Sequence, residues 1–384
     1  MQLNPRTALS GQAPVVPAGA PNVTDYNPRM DIASLDTPCL ILDIDTVESN
    51  IARMAAFLED KPAKLRPHFK TPKTPEVARR QLTAGAVGIT VAKLGEAEVL
   101  ADAGVGPILM ANQVVGPVKI DRLMALLGRG VDITVAVESE FNIRELADGA
   151  ARSGQHPKAI IEVDSGMHRC GTTLPAQTVV LARKLKEAGI EYRGIMGYEG
   201  HAVLLPDEAE RKDKAAAALE IVRQHVEALA EAGLAPEIVS VGGTGTFEIS
   251  TLPDFVTDIQ AGSYAFMDGR YQQVLPGRFD CALTLLTTVL TVRPDYAVCD
   301  AGMKSLTNEF GSPRTRDGSI KASRLSEEHA HLTGDGIGTL HAGDRIELIP
   351  SHGDTTLNLH DVYNIRKNGE IVDTWPILGA RKYR

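Results

Sequence analysis

Aromatic residues are scarce in this 384-residue chain, at 4% with a single tryptophan, so its core has to be aliphatic; a hydrophobic content of 43% is enough for a sizeable one. No apolar run approaches the ~18 residues of a membrane span, which excludes a transmembrane helix. Cysteine is limited to Cys39, Cys170, Cys281 and Cys299, with no Cys-x-x-Cys spacing, and three of them lie in or beside apolar strand-like runs. That pattern reads as buried thiols in a reducing compartment rather than as disulfides. Positive charge is also short, with 40 Lys and Arg against 49 Asp and Glu and a net charge of −9. Such a balance argues against a nucleic-acid partner and against a basic, membrane-facing surface. Residues 1–30, rich in Pro, Asn and Ala, lack an apolar stretch of signal-peptide length and read as an N-terminal arm on a soluble cytoplasmic protein. Internal repeats and low-complexity linkers are missing too. So is a GxGxxG after the first strand, which weighs against an open dinucleotide-binding sheet.

What is present is a rhythm. Thr37-Pro38 precedes a compact apolar strand near 36–43, and a helix is predicted from Asp45, with Asp45 and Glu48 at capping-box spacing. Strand-like runs follow at 65–70, 88–91, 106–113, 132–137, 158–164, 192–198, 237–243 and 257–265, with helical patterns between most of them. The runs are mostly continuous and apolar, as in Ile160-Ile161-Glu162-Val163, which is expected of strands covered on both faces. Eight such strands predict a (β/α)8 barrel over 44–275. From about residue 276 to 384 the patterning turns β-rich, at 281–292, 296–300, 344–349, 361–366 and 370–375, and predicts a second, mostly antiparallel domain.

Barrels carry their chemistry at the C-terminal ends of the strands. Those ends hold Lys70, Gln113, the segment Asp164–Gly171, Tyr198-Glu199-Gly200-His201, Gly242–Thr246 and Gly262-Ser263. Lys70, beside Arg66, His68 and Lys73, has the chemistry for a Schiff base, and neighbouring cations with partial burial are expected to lower its pKa. Two adjacent glycine turns bearing Thr244, Gly245, Gly262 and Ser263 suit a phosphate cradle. A phosphate site across the mouth from a strand-end lysine points to pyridoxal phosphate, with Arg169 toward the pyridine nitrogen or, alternatively, in an ordinary salt bridge to Asp164 or another carboxylate. Near the C-terminus His352-Gly353-Asp354 puts two donors two residues apart, on one face of an extended segment, where they suit a hard divalent ion such as Mn²⁺ or Mg²⁺.

Together Arg66-Pro67-His68-Phe69-Lys70-Thr71, Asp164–Gly171, Gly242–Gly245 and Gln260–Gly269 make residues 36–384 resemble the D-threonine aldolase / D-serine dehydratase-like family, fold-type III pyridoxal phosphate enzymes related to the alanine racemase barrel. The resemblance implies that Lys70 carries the cofactor, Arg169 meets the pyridine nitrogen, and Tyr198 and Gln113 line the cofactor. It further implies phosphate on Thr244, Gly245, Gly262 and Ser263, and metal on His352 and Asp354. It implies a homodimer in which Asp300, Gly302 and Lys304 help complete the partner's site. His-x-Asp favours the aldolase branch with Mn²⁺ over the His-x-Cys, zinc-bearing dehydratases. The implied activity is cleavage of a D-β-hydroxy-α-amino acid such as D-threonine to glycine and an aldehyde. The alternatives are a 3-hydroxy-D-aspartate aldolase, a D-serine or 3-hydroxyaspartate dehydratase, and a cofactor carrier without catalysis. Two positions depart from the family: Pro72 stands where many members have His, and Glu199 stands where a histidine base is proposed, leaving Glu199 or His201 for that role.

Overall fold

The computed structural model describes residues 31–384. The expected arm over 1–30 lies outside the described residues.

β1 (Cys39–Asp43) runs into α1 (Ile44–Leu58). Asp43 is the helix cap: its backbone is still extended and its carboxylate accepts the Thr46 N–H at 2.9 Å. The cap therefore sits two residues before the expected Asp45. Val47, Ile51, Met54 and Leu58 form the buried stripe that their spacing predicts.

The barrel then builds strand by strand. Its first turns are β2 (Lys64–Leu65), α2 (Pro75–Thr83), β3 (Ile89–Val91), α3 (Leu94–Asp102), β4 (Ile108–Gln113) and α4 (Pro117–Gly128). Next come β5 (Ile133–Val137), α5 (Glu140–Ser153), β6 (Lys158–Glu162), α6 (Pro175–Glu187) and β7 (Glu191–Gly197). It ends with α7 (Gly200–Val203), α8 (Glu208–Glu231), β8 (Ile238–Val241), α9 (Phe247–Ser250) and β9 (Asp258–Ile259). The eight strands β2 to β9 form one parallel sheet in the order β2-β9-β8-β7-β6-β5-β4-β3. Beyond β2 the chain closes the curl by a looser path: Phe69 N–H donates to Thr90 O (2.7 Å) and Thr90 N–H to Pro67 O (2.9 Å). The strand expected over 65–70 is a ladder only at its start, because Pro67 has no N–H to give and Pro72 ends the extension. Irregular backbone at that point swings Lys70 onto the rim.

After α10 (Gly269–Val274), a second sheet forms from β10 (Leu283–Val292), β11 (Ala297–Cys299), β12 (Lys321–Leu325), β13 (Ala330–Thr333) and β14 (Arg345–Leu348). The short helix α11 (Gly353–Leu357) precedes β15 (Val362–Lys367) and β16 (Glu370–Pro376). Its order is β12-β13-β11-β10-β1-β15-β16, with β14 also paired to β10. β1 is antiparallel to β10 and parallel to β15, so the chain's first strand is stitched into the late sheet. The β12/β13 pair escaped the sequence reading because Lys-Ala-Ser-Arg-Leu and Ala-His-Leu-Thr are short and polar. At the predicted Asn368-Gly369 turn both residues have positive φ (49° and 82°), the conformation a tight hairpin needs.

One continuous core runs from Leu40 to Ala380 through both sheets. The seam between them grips the loop after Lys70. Tyr363 donates its hydroxyl to Pro72 O (3.0 Å), and Gly379 N–H bonds Lys73 O (2.8 Å). The half-buried Lys73 places its ammonium 2.6 Å from the buried Glu96. Among the described residues no helix is long and apolar enough to cross a membrane, and all four cysteines are free thiols.

A candidate active site on the barrel rim

Lys70 points into a cavity of about 310 Å³ at the C-terminal ends of the strands, shared with His68, Lys93, Asn112, Gln113, Glu162, Arg169, Cys170, Tyr198 and Gln260. Two larger grooves, about 570 and 540 Å³, run between outer helices and do not hold Lys70. The Lys70 ammonium lies 3.7 Å from Asp354 Oδ2 and faces the Tyr198 ring at 6.0 Å. Its own backbone N–H is tied to His68 Nδ1 at 3.2 Å. The pKa expectation is reversed here. Burial lowers the Lys70 pKa and Arg169 adds to that, but Tyr198 and Asp354 outweigh both, and the net direction is upward. The cations fall instead on His68, which burial and the Lys70 charge push well down toward the neutral imidazole.

The two glycine turns lie together. Tyr264 N–H donates to Thr244 Oγ1 (3.0 Å), tying one turn to the other, and Ser263 Oγ is 3.1 Å from Thr71 Oγ1, the residue after Lys70. Thr244, Gly245, Gly262 and Ser263 are all buried. Among the described residues none of their four backbone N–H groups finds an internal acceptor. Buried N–H groups are rarely left without a partner, and four on adjacent strand-end turns could donate to a phosphate dianion. The same residues show why glycine is needed for packing: a Cβ on Gly245 would lie 1.8 Å from Val203 O, and one on Gly262 2.5 Å from His68 O.

On the opposite wall, Arg169 contacts Glu162 (Nη2 to Oε1, 3.5 Å) and lies 5.9 Å from the Tyr198 ring. Its carboxylate partner is thus not Asp164, which instead folds its own loop by accepting the N–H groups of Gly166 (3.0 Å) and His168 (2.9 Å). Glu162, read in the sequence only as part of an apolar strand, is a functional candidate that was missed; a lone Glu inside such a run was the available signal.

His352 and Asp354 come together, though not on an extended segment as expected. His352 is the extended residue before α11 and Asp354 lies in its first turn, which leaves His352 Nε2 3.9 Å from Asp354 Oδ2. The other ring nitrogen, Nδ1, is 2.8 Å from Asp268 Oδ2, which also accepts the Gly353 N–H. Burial disfavours the imidazolium, but the Asp268 contact and the nearby Asp354 hold the His352 pKa up at about 8. Asp354 Oδ1 is buried with no hydrogen-bond partner. The imidazole is oriented by one carboxylate and has its other nitrogen near Oδ2 of a second, whose Oδ1 is unpartnered, so the two side chains could hold a divalent cation. No group of three or more His, Cys, Asp or Glu suited to a metal occurs among the described residues, so these two would share the ion with water or ligand oxygens, as hard ions accept. Asp268 also went unnoticed as a functional residue, although its Phe-Met-Asp-Gly stretch is conspicuous.

Glu199 does not reach the cavity. It is 1% exposed and accepts hydrogen bonds from Gly242 N–H (3.1 Å), Thr246 Oγ1 (2.6 Å) and Ser250 Oγ (2.7 Å). The carboxylate braces the first glycine turn, and the expectation that it faces a substrate as base does not fit this geometry. His201, in α7, packs its ring against Gly166, and its buried Nδ1 has no partner. Asp300 accepts from Thr37, Thr287 and the Thr288 N–H, while Lys304 pairs with Glu328 at the surface. A Cβ on Gly302 would lie 2.3 Å from Glu327 O.

Comparison with known proteins matches residues 42–269 to the alanine racemase N-terminal domain and residues 282–366 to the putative serine dehydratase domain. The chain is 36% identical over 368 residues to a 3-hydroxy-D-aspartate aldolase of Paracoccus denitrificans, covering 92% of this chain and 95% of that protein. It is 34% identical over 357 residues to a D-threonine aldolase of an Arthrobacter species, covering 91% and 94%. The crystal structure of D-threonine aldolase from Filomicrobium marinum superposes with a TM-score of 0.87 at 35% identity, covering 91% of this chain and 96% of that one.

Proposed function

Since the chain belongs to the D-threonine aldolase / D-serine dehydratase-like family of fold-type III pyridoxal phosphate enzymes, we propose that it is a metal-assisted aldolase that cleaves D-β-hydroxy-α-amino acids to glycine and an aldehyde. One observation carries this reading: the Lys70 ammonium and the Asp354 carboxylate meet at 3.7 Å, beside an Asp354 oxygen left buried and unpartnered. A cofactor carrier has no use for a metal-ready carboxylate at its lysine.

Lys70 would hold the cofactor, the N–H groups of Thr244, Gly245, Gly262 and Ser263 its phosphate, and Gln113, Arg169 and Tyr198 its ring. When bound, pyridoxal phosphate supplies an electron sink for the charge left on Cα as the Cα–Cβ bond breaks. His352 and Asp354 would hold the divalent ion, Mn²⁺ in our reading, which supplies the Lewis acidity that lowers the pKa of a coordinated hydroxyl. Asp354 keeps Lys70 protonated and placed when the lysine is free. His68, neutral, anchors the Lys70 backbone. With Glu199 committed to three hydrogen bonds, His201, whose buried Nδ1 has no partner, would accept the β-hydroxyl proton through water.

A second reading, cleavage of 3-hydroxy-D-aspartate to glycine and glyoxylate, is favoured by Lys93. It lines the cavity and has no carboxylate partner among the described residues, so its ammonium would be available to a second substrate carboxylate. The test is to incubate the reconstituted protein with D-threonine, D-serine and 3-hydroxy-D-aspartate, with and without Mn²⁺, and to assay aldehyde, glycine, keto acid and ammonia. Metal-dependent glycine and aldehyde are expected. Keto acid and ammonia would mean a dehydratase, and absence of turnover on all three a carrier. Borohydride reduction should fix the cofactor covalently to Lys70 and to nothing in the Lys70→Ala variant.

A further inference from the structure

We propose that Glu162 is a positioning residue whose carboxylate presets the guanidinium of Arg169 against the cofactor. The inference rests on reading the cavity as the pyridoxal phosphate site.

Glu162 closes β6 with a side chain only 5% exposed, at the floor of the cavity. Gln113, at the end of β4, donates its amide to Oε2, which leaves Oε1 facing Arg169. Among the described residues Arg169 is its one ion-pair partner. A carboxylate buried this deeply is costly unless a cation and hydrogen bonds compensate it. Burial accordingly pushes its pKa up, against the opposing pull of Gln113 and Arg169.

Arg169, for its part, needs an anchor. It rides a loop flanked by Gly166 and Gly171, whose φ values of 106° and 112° admit little but glycine. Three carboxylates hold this segment, and they divide the work. Asp164 takes the N–H groups at the start of the loop and Glu138 takes the Gly171 N–H at its end. Asp164 also takes the His168 ring nitrogen (3.2 Å), and neither carboxylate pairs with the Arg169 side chain. The Arg169 side chain is half exposed and, apart from the Tyr198 ring, has Glu162 as its one polar partner among the described residues. A long side chain with many rotamers loses entropy when it binds a ligand, and an acceptor that restrains it beforehand reduces that loss. The buried Glu162 has one oxygen already pinned by Gln113 and so offers Arg169 a single direction.

The test is a double-mutant cycle read by cofactor affinity and by the absorbance spectrum of the bound cofactor, with melting temperature as the fold control. Glu162→Gln keeps the shape and the Gln113 contact but removes the charge. It should weaken pyridoxal phosphate binding about tenfold, the scale of one charge-assisted contact, and shift the spectrum as Arg169→Gln does. In the Arg169→Gln background the Glu162 change should add nothing, because the group it positions is gone. If Glu162→Gln does not fold, Glu162→Asp repeats the cycle with the charge withdrawn by one methylene. Wild-type affinity in the Glu162 variant, or the same loss with and without Arg169, overturns the inference. Wild-type protein that takes up no pyridoxal phosphate overturns the cofactor reading, and this inference with it.

Discussion

Glu199 is the residue where a structural and a catalytic account make opposite forecasts. Its carboxylate satisfies Gly242 N–H, the Thr246 hydroxyl and the Ser250 hydroxyl in a site 1% exposed. In Glu199→Ala the Thr246 hydroxyl still has Gly243 O at 3.4 Å, but the Gly242 N–H and the Ser250 hydroxyl are stranded. A stranded buried donor costs roughly 1–3 kcal/mol, so the loss should be about 4 kcal/mol. Glu199→Gln keeps one acceptor oxygen for the hydroxyls while turning an NH₂ toward the Gly242 N–H. One conflict of this kind costs about 2 kcal/mol, or a fall of roughly 2–3 °C in melting temperature for a chain of this length. Because the same turn carries the Thr244 and Gly245 N–H groups, cofactor affinity should fall together with stability. Thermal melting, pyridoxal phosphate titration and turnover with saturating cofactor measure the three effects separately. Glu199→Gln protein that melts and binds cofactor like wild type, yet loses turnover on the order of a hundredfold or more, would refute this reasoning and restore Glu199 as the base.

Asp268→Asn should weaken Mn²⁺ binding roughly 10- to 100-fold by releasing His352 from its carboxylate, while pyridoxal phosphate affinity stays unchanged; calorimetric titration with the ion alone decides, and unchanged metal affinity counts against the His352–Asp354 site. His225 is buried between α6 and α8, bonded to Thr178 Oγ1 at 2.7 Å, and its burial holds its pKa down at about 4. The unfolded chain, with an ordinary imidazole pKa near ~6.5, then binds more protons than the native state between pH 4 and 6.5, so stability is lost as pH falls through that window, by up to about 3 kcal/mol. Urea unfolding at pH 7.5 and 5 should show a smaller loss in His225→Leu than in wild type, and equal losses would exclude His225 as the cause.

Much of this architecture was legible because it rests on local signals. Continuous apolar runs alternating with amphipathic stretches mark a parallel barrel, and Asn368-Gly369 marks a hairpin. A lysine at the first strand end, facing two glycine turns, already outlined a cofactor site. Local patterning could not assign partners. Which acceptor takes a buried proton is decided by elements far apart in the chain, as when Gly242 and Ser250 close on Glu199, or Asp268 reaches His352. For the same reason Glu199, read beside His201 as a candidate base, sits among three hydrogen bonds outside the cavity, Glu162 read as core and lies in the cavity, and the Lys70 pKa was given the wrong sign until Asp354, 284 positions later in the chain, came into view. Chemistry at a strand end follows from residue type; the direction in which a charge is pulled depends on what lies across the fold.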